Sequence, residues 1–181
     1  MSGFGYVASV STAVLGVAAL AFFPTAPRLI WNATSSTPTG LYALRPIGQL
    51  RTRELVVVRP PEPIAAYLAD GGFLPRGVPL LKHVLAVAGQ TVCRAGDAIT
   101  VDHVDVGVAR DRDHLGRSLP RWNGCRTLTP AEVFLMNPTV ADSLDGRYFG
   151  PLPITSIVGQ ALPLWTDAAG DGRFAWRAAA D

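Results

Sequence analysis

Beyond the N-terminal segment, apolar runs in this chain are short and many stop at proline or glycine, and that punctuation restricts the fold more than any other feature. Glu54-Leu-Val-Val-Val-Arg59 is a β-branched run closed by Pro60-Pro61, which predicts a strand. Glu62 to Asp70 carries Pro63 in its first turn and meets Gly71-Gly72, so it predicts a short helix. Pro79 to Ala88 predicts a second strand. Thr91 to Cys93 and Ala98 to Val101, joined through Arg94-Ala-Gly-Asp97, predict a hairpin, with another strand at Val104 to Ala109. Arg110 to Trp122 is polar and loop-like, and Glu132 to Asn137 and Ile154 to Trp165 supply the last strands. There is no internal repeat and no alternation of strand with helix, so the expected body is mainly antiparallel β. The Ala/Gly-rich stretch after Asp167 is expected to fray.

Hydrophobic residues make up 49% of the 181-residue chain and charged ones 17%, and much of the apolar excess lies at the N-terminus. No charged side chain occurs from Met1 to Phe23, and Gly3 to Phe23 is long enough to cross a hydrocarbon core as a helix. A removable signal peptide would have a basic start and a shorter apolar run, so an uncleaved anchor is the expectation. The chain then divides into a transmembrane anchor at 1–27, a β domain at 28–166 with a small insertion at about 90–130, and a tail at 167–181. Orientation draws on opposed signals. Arg28, Arg45, Arg51 and Arg53 follow the anchor, which by the positive-inside rule argues against export, but that rule weakens for large translocated domains. Cys93 and Cys125 have no third or fourth ligand at metal spacing, so a disulfide on an oxidising side is expected and no metal site. The domain is accordingly expected on the extracytoplasmic, periplasmic side of the inner membrane, on a single-pass anchor. A formal net charge of +2, with no dense Lys/Arg run, gives no reason to expect nucleic acid as a partner.

Three polar stretches carry the chemistry. Asn32-Ala-Thr-Ser-Ser-Thr-Pro-Thr-Gly-Leu-Tyr42 packs five hydroxyls into the six positions from Thr34 to Thr39, and Pro38 and Gly40 give it the character of a tight turn. A Ser/Thr linker leaving a membrane is the plainer reading. Lys82 is the only lysine, and strand alternation places it on one face with Leu80, Val84 and Ala86. Desolvation there lowers a lysine pKa toward the range of a general base, which arginine cannot match; the plainer reading is a lysine that snorkels to water. The third stretch, Ala141 to Pro151, clusters Asp142, Ser143, Asp145 and Arg147, where Asp145 and Arg147 can pair and Ser143 can bond the lysine. Alone it reads as a polar turn with a surface ion pair.

Taken in order, Ser36-Thr-Pro38 within Asn-x-Thr-x-Ser-x-Pro-x-Gly-Leu-Tyr, Leu80-Leu-Lys-His-Val84 followed by Gly89, and Ser143-x-Asp-Gly-Arg-Tyr-Phe-Gly150 resemble the three boxes of the type I signal peptidases. The first box, with Pro163-Leu-Trp165, is most similar to the conjugative-transfer, TraF-type branch. The resemblance implies an antiparallel β signal-peptidase fold, shared with self-cleaving repressors, behind one N-terminal transmembrane helix. It implies Ser36 as nucleophile and Lys82 as general base. Thr34 and the Ser36 N–H would hold the oxyanion, Ser143 would orient the lysine, and Asp145 with Arg147 would support it. The chain departs from the pattern at Gln90, Ala88 and Gly146, where an acidic residue, proline and serine are usual. Ser35 stays open as an alternative nucleophile.

A serine hydroxyl attacks only once a base takes its proton, and a neutral lysine suffices, with no metal or cofactor. The expected activity is a membrane-anchored serine endopeptidase that removes signal peptides from exported precursors, in particular a pilin precursor in conjugative transfer. The alternatives are a general type I signal peptidase and a non-catalytic, membrane-anchored β domain of a secretion assembly. A Ser-His-Asp site using His83, His103 or His114 is the weaker enzyme reading, because His83 alternates away from Lys82.

Overall fold

The computed structural model describes residues 3–21 and 28–177. In chain order the elements are α1 (Gly3–Ala21), β1 (Leu29–Asn32), β2 (Thr39–Arg45), β3 (Leu55–Val58), α2 (Glu62–Asp70), β4 (Leu80–Ala86), β5 (Thr91–Ala95) and β6 (Ala98–Val101). There follow β7 (Val104–Val108), β8 (Gly124–Thr127), β9 (Glu132–Met136), α3 (Gly146–Phe149), β10 (Leu152–Pro153), β11 (Ile157–Asp167) and β12 (Ala175–Trp176). An eight-stranded sheet runs β1-β2-β11-β3-β4-β9-β10, with β12 added alongside β11, and a four-stranded sheet runs β7-β6-β5-β8. Every pairing between named strands is antiparallel.

β3 shows why the large sheet sits at the centre. Its period-2 alternation sends Val56 and Val58 into one apolar cluster, with Val84, Val133 and Leu135, and Leu55 and Val57 into another, with Tyr42 and Leu81. Both faces are therefore covered, and the strand reads as an unbroken apolar run. A third cluster joins the sheets, packing Val92, Ile99 and Val101 of the small one against Phe134 and Met136 of β9 and Tyr148 of α3. Residues 91–127, which contain the small sheet, carry the Cys93–Cys125 disulfide; the two cysteines face each other across β5 and β8.

Several expectations are corrected. The strand expected from Ile154 begins at Ile157, because Ile154–Ser156 forms a 3₁₀ turn after Pro153. The stretch after Asp167 does not fray throughout: Asp167 caps the Asp171 and Gly172 N–H groups, and β12 pairs with Trp165 and Thr166. Phe174 stacks on Trp31 and lies against Trp165, while Trp176 covers Trp165 from the other strand. The expected transmembrane helix is not found among the described residues. α1 has 19 residues and spans roughly 28 Å at 1.5 Å per residue, against a hydrocarbon core of about 30 Å. Among the described residues no helix is long and apolar enough to cross a membrane. Met1, Ser2 and the 22–27 end of the expected anchor lie outside the described residues.

Candidate active site

The hydroxyl-rich stretch is the turn of the β1–β2 hairpin, in which Asn32 pairs with Gly40 across its mouth. Asn32 shapes that turn from inside. Its Nδ2 donates to the Thr34, Thr37 and Pro38 carbonyls at 2.8, 3.1 and 3.1 Å and to Thr37 Oγ1 at 2.9 Å. Its Oδ1 accepts from Thr34 N at 3.1 Å and from the Thr34 hydroxyl at 2.8 Å. Tyr42 Oη closes the other side, donating to the Pro38 carbonyl at 2.6 Å. With Thr34 N and the Thr34, Thr37 and Pro38 carbonyls satisfied by this buried amide, the turn holds Ser35 exposed and Ser36 half-buried. Gly40 lets β2 run close to β11: its φ is +141°, and a Cβ there would lie 2.2 Å from the Trp165 carbonyl oxygen.

Lys82 lies on β4 opposite Val56 of β3 and is only 4% exposed. Its Nζ donates to Ser143 Oγ at 2.7 Å and to Ser36 Oγ at 3.5 Å. Of the two candidate serines, Ser36 makes the lysine contact. Burial pulls the Lys82 ammonium from 10.5 to about 8; nearby Asp145 opposes that shift and Arg147 adds to it. The neutral amine is thus far more accessible than in an ordinary lysine, gaining ground as the pH approaches 8, and it lies within reach of a hydroxyl, which is what proton abstraction requires.

Asp145 and Arg147 hold the third stretch in place. Asp145 caps α3, its Oδ1 accepting from Arg147 N at 3.1 Å and from Nε at 3.0 Å, while Arg147 Nη2 reaches Oδ2 at 2.9 Å. The same Nη2 donates to the Asn137, Val140 and Ser143 carbonyls, which ties the 137–143 loop to the pair and fixes the backbone that carries Ser143. The pair is buried, with Arg147 1% and Asp145 2% exposed, and is not the surface ion pair of the plainer reading. Glycine at 146, where the resemblance leads one to expect serine, follows from packing: a Cβ there would lie 2.6 Å from the Phe134 ring and 2.7 Å from the Leu135 carbonyl. Gln90 fills the place of an acidic residue by accepting from Val87 N at 3.0 Å and donating to Asp102 at 2.8 Å, so the turn after β4 is closed by an amide.

Thr34 lies two residues before Ser36, but its hydroxyl is donated to Asn32, and it would have to rotate to meet an oxyanion. The cysteine pair stands in the small sheet, away from the β1–β2 turn in the strand order. His103 occupies the β6–β7 turn with φ +68°, and among the described residues no histidine bonds either serine hydroxyl. His83 alternates to the face opposite Lys82, and from there it lines the cleft beside Ser36, with its Nδ1 3.0 Å from Asn137 Oδ1. That cleft has a volume of about 380 Å³ and is walled by Leu55, Val140 and the Ala168-Ala169-Gly170 loop as well as the serine turn. Among the described residues no group of His, Cys, Asp and Glu is arranged to hold a metal ion.

Residues 4–165 match the family described as signal peptidase, peptidase S26, and the chain belongs to that family. Its relatives are more particular. It is 31% identical over 147 residues to the conjugal transfer protein TraF of Agrobacterium fabrum, covering 75% of this chain and 81% of that one. It is 34% identical over 148 residues to the probable conjugal transfer protein TraF of Sinorhizobium fredii, covering 76% and 77%. The plasmid transfer protein TraF of Escherichia coli is 33% identical over 146 residues, covering 75% and 81%. Among solved structures, a signal peptidase I of Enterococcus faecalis aligns over 63% of this chain and 97% of its own at 15% identity, with a TM-score of 0.38.

Proposed function

We propose that this protein is a serine endopeptidase with a Ser36–Lys82 dyad, which cleaves signal-peptide segments from exported precursors and matures a pilin precursor for conjugative transfer. The observation that carries the reading is the buried Lys82 Nζ, held at 2.7 Å by Ser143 and 3.5 Å from Ser36 Oγ, with its pKa drawn down to about 8. Neutral Lys82 accepts the Ser36 Oγ proton as Oγ bonds to the scissile carbonyl carbon. The Ser36 N–H and a rotated Thr34 hydroxyl hold the developing oxyanion. Collapse breaks the C–N bond, and the leaving amine takes the proton from Lys82. A water, deprotonated by the same lysine, then attacks the acyl carbon, the acyl C–Oγ bond breaks, and Lys82 returns the proton to Ser36 Oγ.

Conjugation is supported by the names of the relatives. A membrane position on the oxidising side is supported by the disulfide and by α1, where Val7, Val14 and Leu15 are exposed along the helix. Trp31, Trp165 and Trp176 add exposed aromatic surface on the β1-β2-β11-β12 edge, the kind of side chain that suits a lipid–water boundary. The test is cleavage of a precursor by the full chain carrying Ser36→Ala or Ser35→Ala. Ser36→Ala is expected to fold and show no cleavage, while Ser35→Ala keeps most of the activity. A dead Ser35→Ala beside an active Ser36→Ala moves the nucleophile by one residue. Full activity in both removes the serine-peptidase reading.

A further inference from the structure

The geometry points to Asn137 as the positioning residue of the dyad: one side-chain amide that holds the backbone on both sides of Lys82 and the carbonyl of Ser36 together. This rests on the Ser36–Lys82 reading above. β9 ends at Met136, whose register partner is His83. One further ladder residue would set the Asn137 peptide against Lys82. The chain leaves the ladder there instead, because Asn137 N donates to Asp145 Oδ2 at 3.0 Å and the Asn137 carbonyl accepts from Arg147 Nη2 at 3.2 Å.

The side chain takes the place the backbone gave up. Asn137 Oδ1 accepts from His83 N at 3.1 Å, and Nδ2 donates to the Leu81 carbonyl at 3.2 Å. Those are the two peptide groups that flank Lys82, and a carboxamide offers them the same donor and acceptor that a neighbouring strand would. The second Nδ2 hydrogen goes to the Ser36 carbonyl at 2.8 Å. Asn137 therefore touches the nucleophile's residue, the strand of the base and the Asp145–Arg147 pair, and it is 1% exposed.

Its orientation follows from its partners. A backbone N–H only donates and a carbonyl only accepts, so Oδ1 faces His83 and Nδ2 faces Leu81 and Ser36. His83 Nδ1, 3.0 Å from that same Oδ1, must then carry its hydrogen, which leaves Nε2 as the acceptor of the neutral ring. His83 steadies the clamp from the cleft side. The side chain acts on rate through alignment: Ser36 Oγ and Lys82 Nζ stand at the long end of hydrogen-bond reach, where a small drift of the turn breaks proton transfer.

The test measures kcat, KM and the pH profile of precursor cleavage by the full chain with Asn137→Ala, Asn137→Asp and Val133→Ala. For Asn137→Ala the expected result is a kcat lower by about 10²-fold, a KM within about twofold, and an acid limb still near pH 8. Val133→Ala loosens the core of the same strand without touching Ser36, and it is expected to lower thermal stability but to keep kcat. Asn137→Asp keeps the size and the acceptor for His83 N but loses both donors and brings a carboxylate near Lys82. It is expected to lower kcat and move the limb above pH 8, and it decides the matter alone if Asn137→Ala does not fold. Wild-type kcat in Asn137→Ala, a kcat loss in Val133→Ala as large as that in Asn137→Ala, or a wild-type profile in Asn137→Asp overturns the assignment. Ser36→Ala measured alongside separates the two readings. If it is dead while Asn137→Ala is fully active, only the Asn137 inference fails; if it is active, the dyad fails first.

Discussion

At the scale of the residue, Lys82 sits between two demands. Burial favours its neutral form, and Ser143 keeps the nitrogen aimed rather than free to snorkel. The direction of the pH effect on activity follows. Below about pH 8 the ammonium has no lone pair with which to take the Ser36 proton, so activity is expected to rise with pH through that value and then level off. Lys82→Arg keeps the charge and adds donors, yet a guanidinium does not release its proton at any working pH. The expected outcome is a folded, precursor-binding protein with no detectable turnover, read by circular dichroism, binding and cleavage. Substantial turnover in that variant would remove Lys82 from the role of base.

Among the elements, what was legible in the sequence divides by the range of the interaction. β3, α2 and β4 were legible because Val, Ile and Leu runs with Pro and Gly ends are local signals. β1 and β2 were not, because the turn residues between them dominate the pattern, and β8 (Gly-Cys-Arg-Thr) has no buried side chain to betray it. The lysine, the serine turn and the Asp-Arg pair stood out through unusual residue types at fixed spacings. Asn32 and Asn137 did not, since what an amide does depends on backbone groups brought in by distant chain. Gly40 belongs to this scale. Gly40→Ala places a methyl in β11 backbone at a φ that L residues rarely adopt, and a loss of roughly 2–4 kcal/mol in chemical denaturation is expected, with the β2–β11 pairing as its seat. A loss below about 0.5 kcal/mol would mean the strands can part there at little cost. The small sheet allows the complementary test. Its disulfide joins cysteines 32 apart, and removing such a cross-link costs roughly 3–4 kcal/mol. Since the bond lies outside the strands that carry Ser36 and Lys82, reduction is expected to lower the melting temperature while cleavage at 25 °C persists. Loss of cleavage without loss of the fold would show that the small sheet governs the site.

For the molecule as a whole, the order of strands in the large sheet sets a timetable. β2, which follows the serine turn, and β3, which pairs with the strand of Lys82, are separated by β11, the last long strand of the chain. Its contacts with β2 bridge more than a hundred residues, the non-local closure that slows folding and leaves edges open in the meantime. A ribosome-bound chain that has emerged only as far as Phe149 already holds every residue of the serine turn, the lysine strand and the Asp-Arg pair, but the sheet that joins them is unfinished. Proteolytic competence is then expected only once β11 is made, and a chain truncated at Phe149 is expected to show no precursor cleavage.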